Sequence, residues 1–240
     1  MAAVSVAMAV YNGSKYLREQ IDSVLAQLEP QDELVISYDR STDDTWEIIS
    51  DYARRSGRVH IVCNDNPGVF GNFENAIRAC RGDYIFICDQ DDRWAENKRS
   101  RVLACFESTG ADMVIHNGVH ISPTGEVISR PFFEISRIGP GKWKNFAKPA
   151  YSGCCTAFTR QLAEIILPIP PTAGAYDHWI GTIGEFFGKI EYLDDVLLYH
   201  RLHGDNVTPT RRRPLPIIAR ARIGLALALA ARILRERRHA

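Results

Sequence analysis

This 240-residue chain has no segment long and apolar enough to cross a bilayer. Its longest uncharged apolar run, Ile223 to Ala231, covers nine residues, against the roughly 20 that a membrane helix needs. It has no C-x-x-C pair among its six cysteines, which argues against the common zinc and dithiol motifs. Several of those cysteines sit in apolar stretches and read as small hydrophobes, adjacent Cys154 and Cys155 among them, so a reduced, cytoplasmic setting is expected. Neither a P-loop nor a G-x-G-x-x-G turn is present; a bound diphosphate would therefore rest mainly on a metal and on side chains. No basic stretch precedes the first apolar run, so no signal peptide is predicted. Net charge is absent too, at a formal zero, yet it is unevenly spread. Residues 211–240 hold nine Arg and one Glu, leaving 20 basic and 28 acidic residues in the remainder. A mildly acidic body does not fit nucleic-acid binding; with its basic tail it fits a soluble domain carrying an electrostatic tether.

What is present alternates. Apolar runs at residues 4–10, 33–38, 59–63, 83–88 and 111–116 read as strands. Between them, helical spacing appears at Leu17, Ile21, Val24, Leu25 and Leu28, then to about Arg55, over 71–80 and over 95–108. Ser14 is a candidate cap for the first helix, and Asp43 or Asp44 for the second. Strands spaced by helices predict a mostly parallel, twisted sheet covered on both faces. The pattern then loosens. Residues 117–150 read as hairpin or loop over the site, 151–159 as a strand, 160–167 and 176–187 as helices, and 190–199 as a strand pair. The division predicted is a domain over 1–210 and a basic amphipathic tail over 211–240.

The densest chemistry is Asp89-Gln90-Asp91-Asp92, directly after the fourth strand. Carboxylates so close repel one another unless a cation sits among them. Hard cations such as Mg²⁺ or Mn²⁺ take oxygen ligands and substrate phosphates. The carboxyl ends of strands are where open α/β sheets bind ligands. Asp89 and Asp91 are the pair expected to bind, with Asp92 open to a role as a helix cap. An EF-hand is excluded, because its Gly and distal Glu are missing. Asp39, in the loop after the second strand, is placed to accept a hydrogen bond from the imide N–H of uracil or thymine, although Ser, Thr and Asp there also suit a turn and cap. Asp177-His178-Trp179 offers a carboxylate to deprotonate an attacking hydroxyl and an aromatic face for a sugar, but Asp177 also suits an N-cap. His203 is the candidate ligand of the pair flanking Arg201, with His200 structural.

Residues 4–13, Tyr16-Leu17, 23–27 and 39–45 together resemble the family-2 inverting glycosyltransferases. Asn66-Pro67-Gly68, Asn72-Phe73, 88–94, 152–154, 177–179 and 201–206 extend the resemblance over about residues 3–209, leaning toward a bacterial rhamnosyltransferase-like branch. It implies the GT-A fold, a nucleotide-diphosphate-sugar donor and Mn²⁺ or Mg²⁺. It places Ala9, Tyr11, Asp39, Arg40, Asn72, Asp89 and Asp91 at the nucleotide. It places Asp89, Asp91 and His203 at the metal and Arg201 near the diphosphate. Trp94, His178 and Trp179 would lie at the acceptor, with Asp177 as general base. One stretch departs from the family, which usually has Asp-Asp-Gly where this chain has Tyr38-Asp39-Arg40. Tyr38 removes a carboxylate, and Arg40 replaces a glycine, either to contact the donor phosphate or at some cost to the site.

The function expected is metal-dependent, inverting hexosyl or deoxyhexosyl transfer. The donor would be a UDP- or dTDP-sugar and the acceptor a glycan or lipid-linked molecule of surface polysaccharide. Two alternatives stay open: a sugar-phosphate nucleotidyltransferase, which Tyr11-Asn12-Gly13-Ser14 matches poorly, and a non-catalytic sugar-nucleotide-binding relative. The tail, with Arg211-Arg212-Arg213 ahead of an apolar helix studded with Arg, is expected to lie on the inner face of an anionic membrane. Packing on the body or in a homodimer is its alternative.

Overall fold

The computed structural model describes residues 2–136, 138–148, 151–204 and 215–238. The strands are β1 (Val4–Val10), β2 (Glu33–Tyr38), β3 (Val59–Cys63), β4 (Tyr84–Cys88), β5 (Arg93–Trp94), β6 (Met113–Ile121), β7 (Thr156–Thr159) and β8 (Ile190–Arg201). The helices are α1 (Leu17–Leu25), α2 (Thr45–Arg55), α3 (Val69–Ala79), α4 (Lys98–Thr109), α5 (Phe132–Ser136), α6 (Lys142–Ala147), α7 (Arg160–Ile166), α8 (Tyr176–Phe187) and α9 (Leu215–Glu236). One sheet runs in the order β3-β2-β1-β4-β7-β6-β8-β5. It is parallel from β3 to β4. β7 then enters antiparallel to both β4 and β6, and β8 returns parallel to β6.

Side chains alternate across the pleat and so build two cores. Val4, Val6, Met8, Leu34, Ile36 and Phe86 face α1, α2 and α4. Ala7, Val35, Ile85, Ile87, Met113 and Ile115 face α3, α7, α8 and α9. Strands buried on both faces read as continuous apolar runs, which is why β1, β2 and β4 are recognisable in the sequence. The first helix begins at Leu17, with Tyr16 rather than Ser14 at its cap. The fourth begins at Lys98 rather than near residue 95, because Arg93 and Trp94 pair with Tyr199 and Leu198 of β8. Residues 190–199 belong to one strand, not a pair, and 151–159 contribute a 3-10 turn at Gly153–Cys155 before the short β7. Between 117 and 148, β6 runs on to Ile121, a bridge joins Ile121 to Val127, and α5 and α6 follow.

The basic helix α9 is folded onto the domain by one of its faces. Leu225 and Leu229 are buried in the second core. Arg232 donates from Nη1 and Nη2 to the carbonyls of Leu167 and Pro168, and its guanidinium lies 5.2 Å from the Trp179 ring centre. Arg211, Arg212, Arg213 and the 210/211 division lie outside the described residues.

Ile21 of α1 is fully buried in the first core, whereas the Arg54–Asp51 pair is surface-exposed. Ile21→Ala is therefore expected to lower the unfolding free energy by about 2–5 kcal/mol, and Arg54→Ala by no more than about 0.5 kcal/mol. Urea titration of both variants checks the difference.

Candidate active site

Parallel pairing sets three loops at one sheet edge. Val10 stands opposite Tyr38, and Met8 opposite Cys88, so the chains leaving β1, β2 and β4 emerge side by side. They are then stitched together. Gln90 reaches back from the acidic loop, accepting from the Tyr11 amide at 2.8 Å and donating to the Tyr11 carbonyl at 2.9 Å. A Cβ on Gly13 would collide with the Gln90 carboxamide. Asn12, the one described non-glycine residue in the left-handed region (φ 47°), accepts from the Thr42 amide at 2.8 Å. Gly13 N–H donates to Thr45 Oγ1 at 2.9 Å and Ser14 N–H to Asp43 Oδ2 at 3.0 Å. Burial pushes the Asp43 carboxyl up, but hydrogen bonds from Thr45 and Ser14 outweigh it and hold it below the usual carboxylate range. Gln90 had no assigned role in the sequence reading, since its partner is 79 residues away.

Asp39 is buried and braces the loop after β3, accepting from Asn64 Nδ2 at 2.6 Å and from Gly68 N–H at 2.9 Å. Each oxygen keeps a second lone pair for a ligand. Tyr38, standing where a carboxylate is usual, accepts from the Ser41 amide at 3.0 Å and packs its ring on Trp46. Arg40 is exposed and has no positive φ, so a side chain in place of glycine brings no backbone strain. Tyr11 leaves 55% of its surface exposed at the mouth. Ala9 is half-buried at the end of β1. Asn72 is buried behind it and donates to the Val10 carbonyl at 3.1 Å. Its position supports the strand end rather than presenting a surface to a nucleotide.

Around Asp89 the structure gathers four donors that could hold a metal ion, a group that shares Asp89 with the ligands the resemblance implies. Donor atoms of Asp89, Asp92, Cys154 and His200 all lie within 4.8 Å of one another. Asp92 is not a helix cap. It is fully buried, and its Oδ1 meets His200 Nδ1 at 2.9 Å and the Arg201 amide at 3.1 Å. Its Oδ2 is buried and makes no hydrogen bond to the described residues, which leaves it open to a water or an ion. The two carboxylates are the donors a hard ion such as Mn²⁺ or Mg²⁺ takes, with the imidazole a further ligand for Mn²⁺, whereas the Cys154 thiol, held protonated by its surroundings, is the poorest match in the group. Cys154 and His200 were read as structural; the turn at Gly153–Cys155 and the end of β8 bring them here. Asp91 and His203 form a separate contact, Oδ2 to Nε2 at 2.8 Å, with the His203 ring 5.1 Å from that of Tyr16.

Without an ion the charges are frustrated. Burial, with Asp92 and Asp91 alongside, pushes Asp89 up to about 8. Burial and Asp92 also raise Asp91, against the opposing pull of His203. Burial disfavours a charged His200, but the Asp92 carboxylate outweighs it and takes the ring up to about 9. Beneath them Lys98 is buried, its ammonium lowered by that burial, donating to the Cys154 carbonyl at 2.8 Å over the Trp94 ring.

Four assignments from sequence are corrected by packing. Arg201 is not free for a phosphate. It is buried and gives Nη2 to Glu19 at 2.6 Å, Nη1 to the Pro123 carbonyl at 3.0 Å and Nε to the Asp91 carbonyl at 3.1 Å. Trp94 and Trp179 show no face to an acceptor. Trp94 packs on Phe86 under the sheet, and Trp179 lies in the second core with Nε1 donating to the Ile166 carbonyl at 2.8 Å. His178 is buried, contacts Arg222 at 3.0 Å and is lowered to about 4, by burial first and Arg222 next.

Asp177 sits in the first turn of α8, half-buried, accepting from the His178 amide at 2.7 Å. Tyr176 links it to the acidic loop. The Tyr176 ring stacks on Phe73 at 4.0 Å, and its hydroxyl would meet any Cβ on Gly153, the residue before Cys154. Burial, then the charges of Asp89 and Asp177, raise the Tyr176 hydroxyl well above its ordinary range. Asp177 and Asp89 therefore flank one tyrosine.

A divalent ion must displace the proton that Asp89 keeps to about 8. The unfolded carboxyl loses that proton near 4, so in the ion-free protein this group's contribution to stability falls as pH rises between those values. Ion binding strengthens over the same range. Mn²⁺ is expected to raise Tm more at about pH 8.5 than at about pH 6, and Asp89→Asn to flatten that difference. Thermal unfolding of both proteins with and without Mn²⁺ checks it.

A family model described as Glycosyl transferase family 2 matches residues 5–167. TuaG of Bacillus subtilis, whose name assigns it to teichuronic acid biosynthesis, is 30% identical over 218 residues, covering 87% of this chain and 82% of TuaG. An uncharacterised glycosyltransferase of Nostoc is 29% identical over 217 residues, covering 85% of this chain and 66% of the relative. EpsH of Bacillus subtilis is 24% identical, and the match covers 64% of its length, so the chain spans about two thirds of these last two proteins. Among solved structures, residues 1–349 of S. aureus TarS superpose with a TM-score of 0.68 at 18% identity, covering 84% of this chain and 60% of that one. A mannosyltransferase of Pyrobaculum calidifontis, solved with GDP-Man and Mn²⁺, gives a TM-score of 0.66 at 20% identity, covering 95% and 74%. These likenesses share the GT-A-like arrangement of sheet and helices. The chain belongs to glycosyl transferase family 2.

Proposed function

We propose that the chain transfers a hexosyl or deoxyhexosyl group from a UDP- or dTDP-sugar to a glycan or lipid-linked acceptor, with inversion, at the cytoplasmic face of a membrane where surface polysaccharide is made. The observation that carries this reading is the cluster of Asp89 and fully buried Asp92 with His200 at the end of the sheet, with Asp177 and Asp89 both acting on Tyr176. The solved complexes of S. aureus TarS with UDP and with UDP-GlcNAc support the donor class, and the naming of TuaG supports the polysaccharide setting.

In this reading the Asp39 carboxylate, fixed by Asn64 and Gly68, accepts from the pyrimidine imide, and the exposed Tyr11 ring covers the base. Exposed Arg40 stands beside them for the diphosphate. Mn²⁺ or Mg²⁺, held by Asp89 and its neighbours, would supply charge neutralisation to the leaving diphosphate. Asp177 takes the proton of the acceptor hydroxyl as that oxygen attacks the anomeric carbon from the face opposite the leaving group. Buried Arg201 holds the acidic loop by the Asp91 carbonyl, and buried Lys98 holds the turn that carries Cys154.

Asp177→Asn is expected to lower kcat for transfer by about 10²–10⁴-fold while Tm and donor affinity stay near wild type. Asp89→Asn is expected to reduce both transfer and metal-dependent donor binding. Steady-state rates with a UDP- or dTDP-sugar panel, together with donor titrations, check both; normal turnover by either variant rules out the role given to it.

A further inference from the structure

The face of α9 turned away from the domain is apolar. Ile223, Leu227 and Leu234 are 62%, 67% and 59% exposed, and their spacing keeps them on one stripe, while Ile217, 53% exposed, lies near the start of the helix. Arg237 and Arg238 are exposed in the turn that follows this helix, and Arg220 is exposed on the helix itself. Its acid, Glu236, accepts from Arg235 Nε at 2.7 Å. α6 adjoins this helix, because Arg222 Nε donates to the Ala147 carbonyl at 3.0 Å. On α6, Trp143 is 71% exposed, with Lys142, Lys144 and Lys148 exposed around it. An apolar stripe, a projecting Trp and a fringe of Lys and Arg form the composition of helices that lie in a membrane interface.

We propose that the outer face of α9, together with Trp143 of α6, seats the protein on an anionic lipid surface. Charge decides the occupant. A second copy docking through the same stripe would set Arg220, Arg237 and Arg238 against their own kind, whereas anionic headgroups complement them. The seat has a consequence for the site. On its inner side α9 touches the segment leading into α8: Gly224 lies against the Thr172 carbonyl, and Ala221 against Gly174. The segment so held ends at the helix that carries Asp177, which places the acceptor side of the site beside the lipid surface. The inference rests on the proposed function for its purpose only; the binding itself needs no substrate.

The test is sedimentation of the full chain with vesicles of phosphatidylcholine alone and of phosphatidylcholine with phosphatidylglycerol. Binding is expected to the anionic vesicles, weakening as salt rises, and not to the neutral ones. Ile223→Asp with Leu227→Asp is expected to weaken binding at least about tenfold at unchanged Tm. Arg220→Glu with Arg237→Glu leaves the stripe intact and is expected to do the same, so misfolding of the first variant would not hide the answer. Failure of the wild-type chain to bind anionic vesicles, or binding by both variants that matches wild type, overturns the proposal. So does a concentration-dependent dimer that the first variant abolishes. Vesicle binding without any sugar transfer would sink the proposed function and leave this inference standing; transfer without vesicle binding would do the reverse.

Discussion

Three carboxylates within four residues are the constraint around which this molecule is arranged. Asp89, Asp91 and Asp92 stand where the sheet ends, and Asp92 is fully buried. Like charges so placed raise one another's proton affinity, and burial raises it further. The surrounding chain answers only in part. His200 and the Arg201 amide satisfy one oxygen of Asp92, and His203 meets Asp91. Lys98 lends a positive charge from below. One oxygen remains without a partner, and Asp89 keeps its proton to about 8. In the proposed function a divalent cation, and with it a diphosphate, would supply the missing positive charge.

The rest of the site follows from holding that loop in place. Parallel registers bring the ends of β1, β2 and β4 level. Gln90 then ties the acidic loop to Tyr11, and Asn12, Gly13 and Ser14 tie the first loop to the second. Arg201 spans from the end of β8 to Glu19 of α1 and to the Asp91 carbonyl. Its burial removes it from contact with substrate and makes it the brace that fixes where the carboxylates stand.

β1, β2 and β4 were legible because burial on both faces leaves unbroken apolar runs, and the acidic motif because no ordinary turn needs three carboxylates. What escaped the sequence reading depends on partners far along the chain. Asp92 looks like a helix cap until His200, 108 residues later, is seen beside it. Cys154 looks like packing until its turn is placed against β4. Trp94 and Trp179 sit next to polar motif residues and read as sugar platforms, but a two-residue strand draws one under the sheet and α8 turns the other into the core. The tail was read as either membrane-binding or packed on the body. The structure packs its inner face on the body and leaves its outer face apolar, a division that periodicity alone could not reveal because both faces carry leucine and arginine.

The central claim is that the Asp89–Asp92 cluster holds a donor diphosphate through a divalent ion. Isothermal titration of UDP and dTDP into the protein, with Mn²⁺ and after removal of divalent ions by a chelator, tests it most directly. The account predicts binding that depends on the ion and is lost in Asp89→Asn. Equal affinity with and without Mn²⁺, unchanged in that variant, would contradict it.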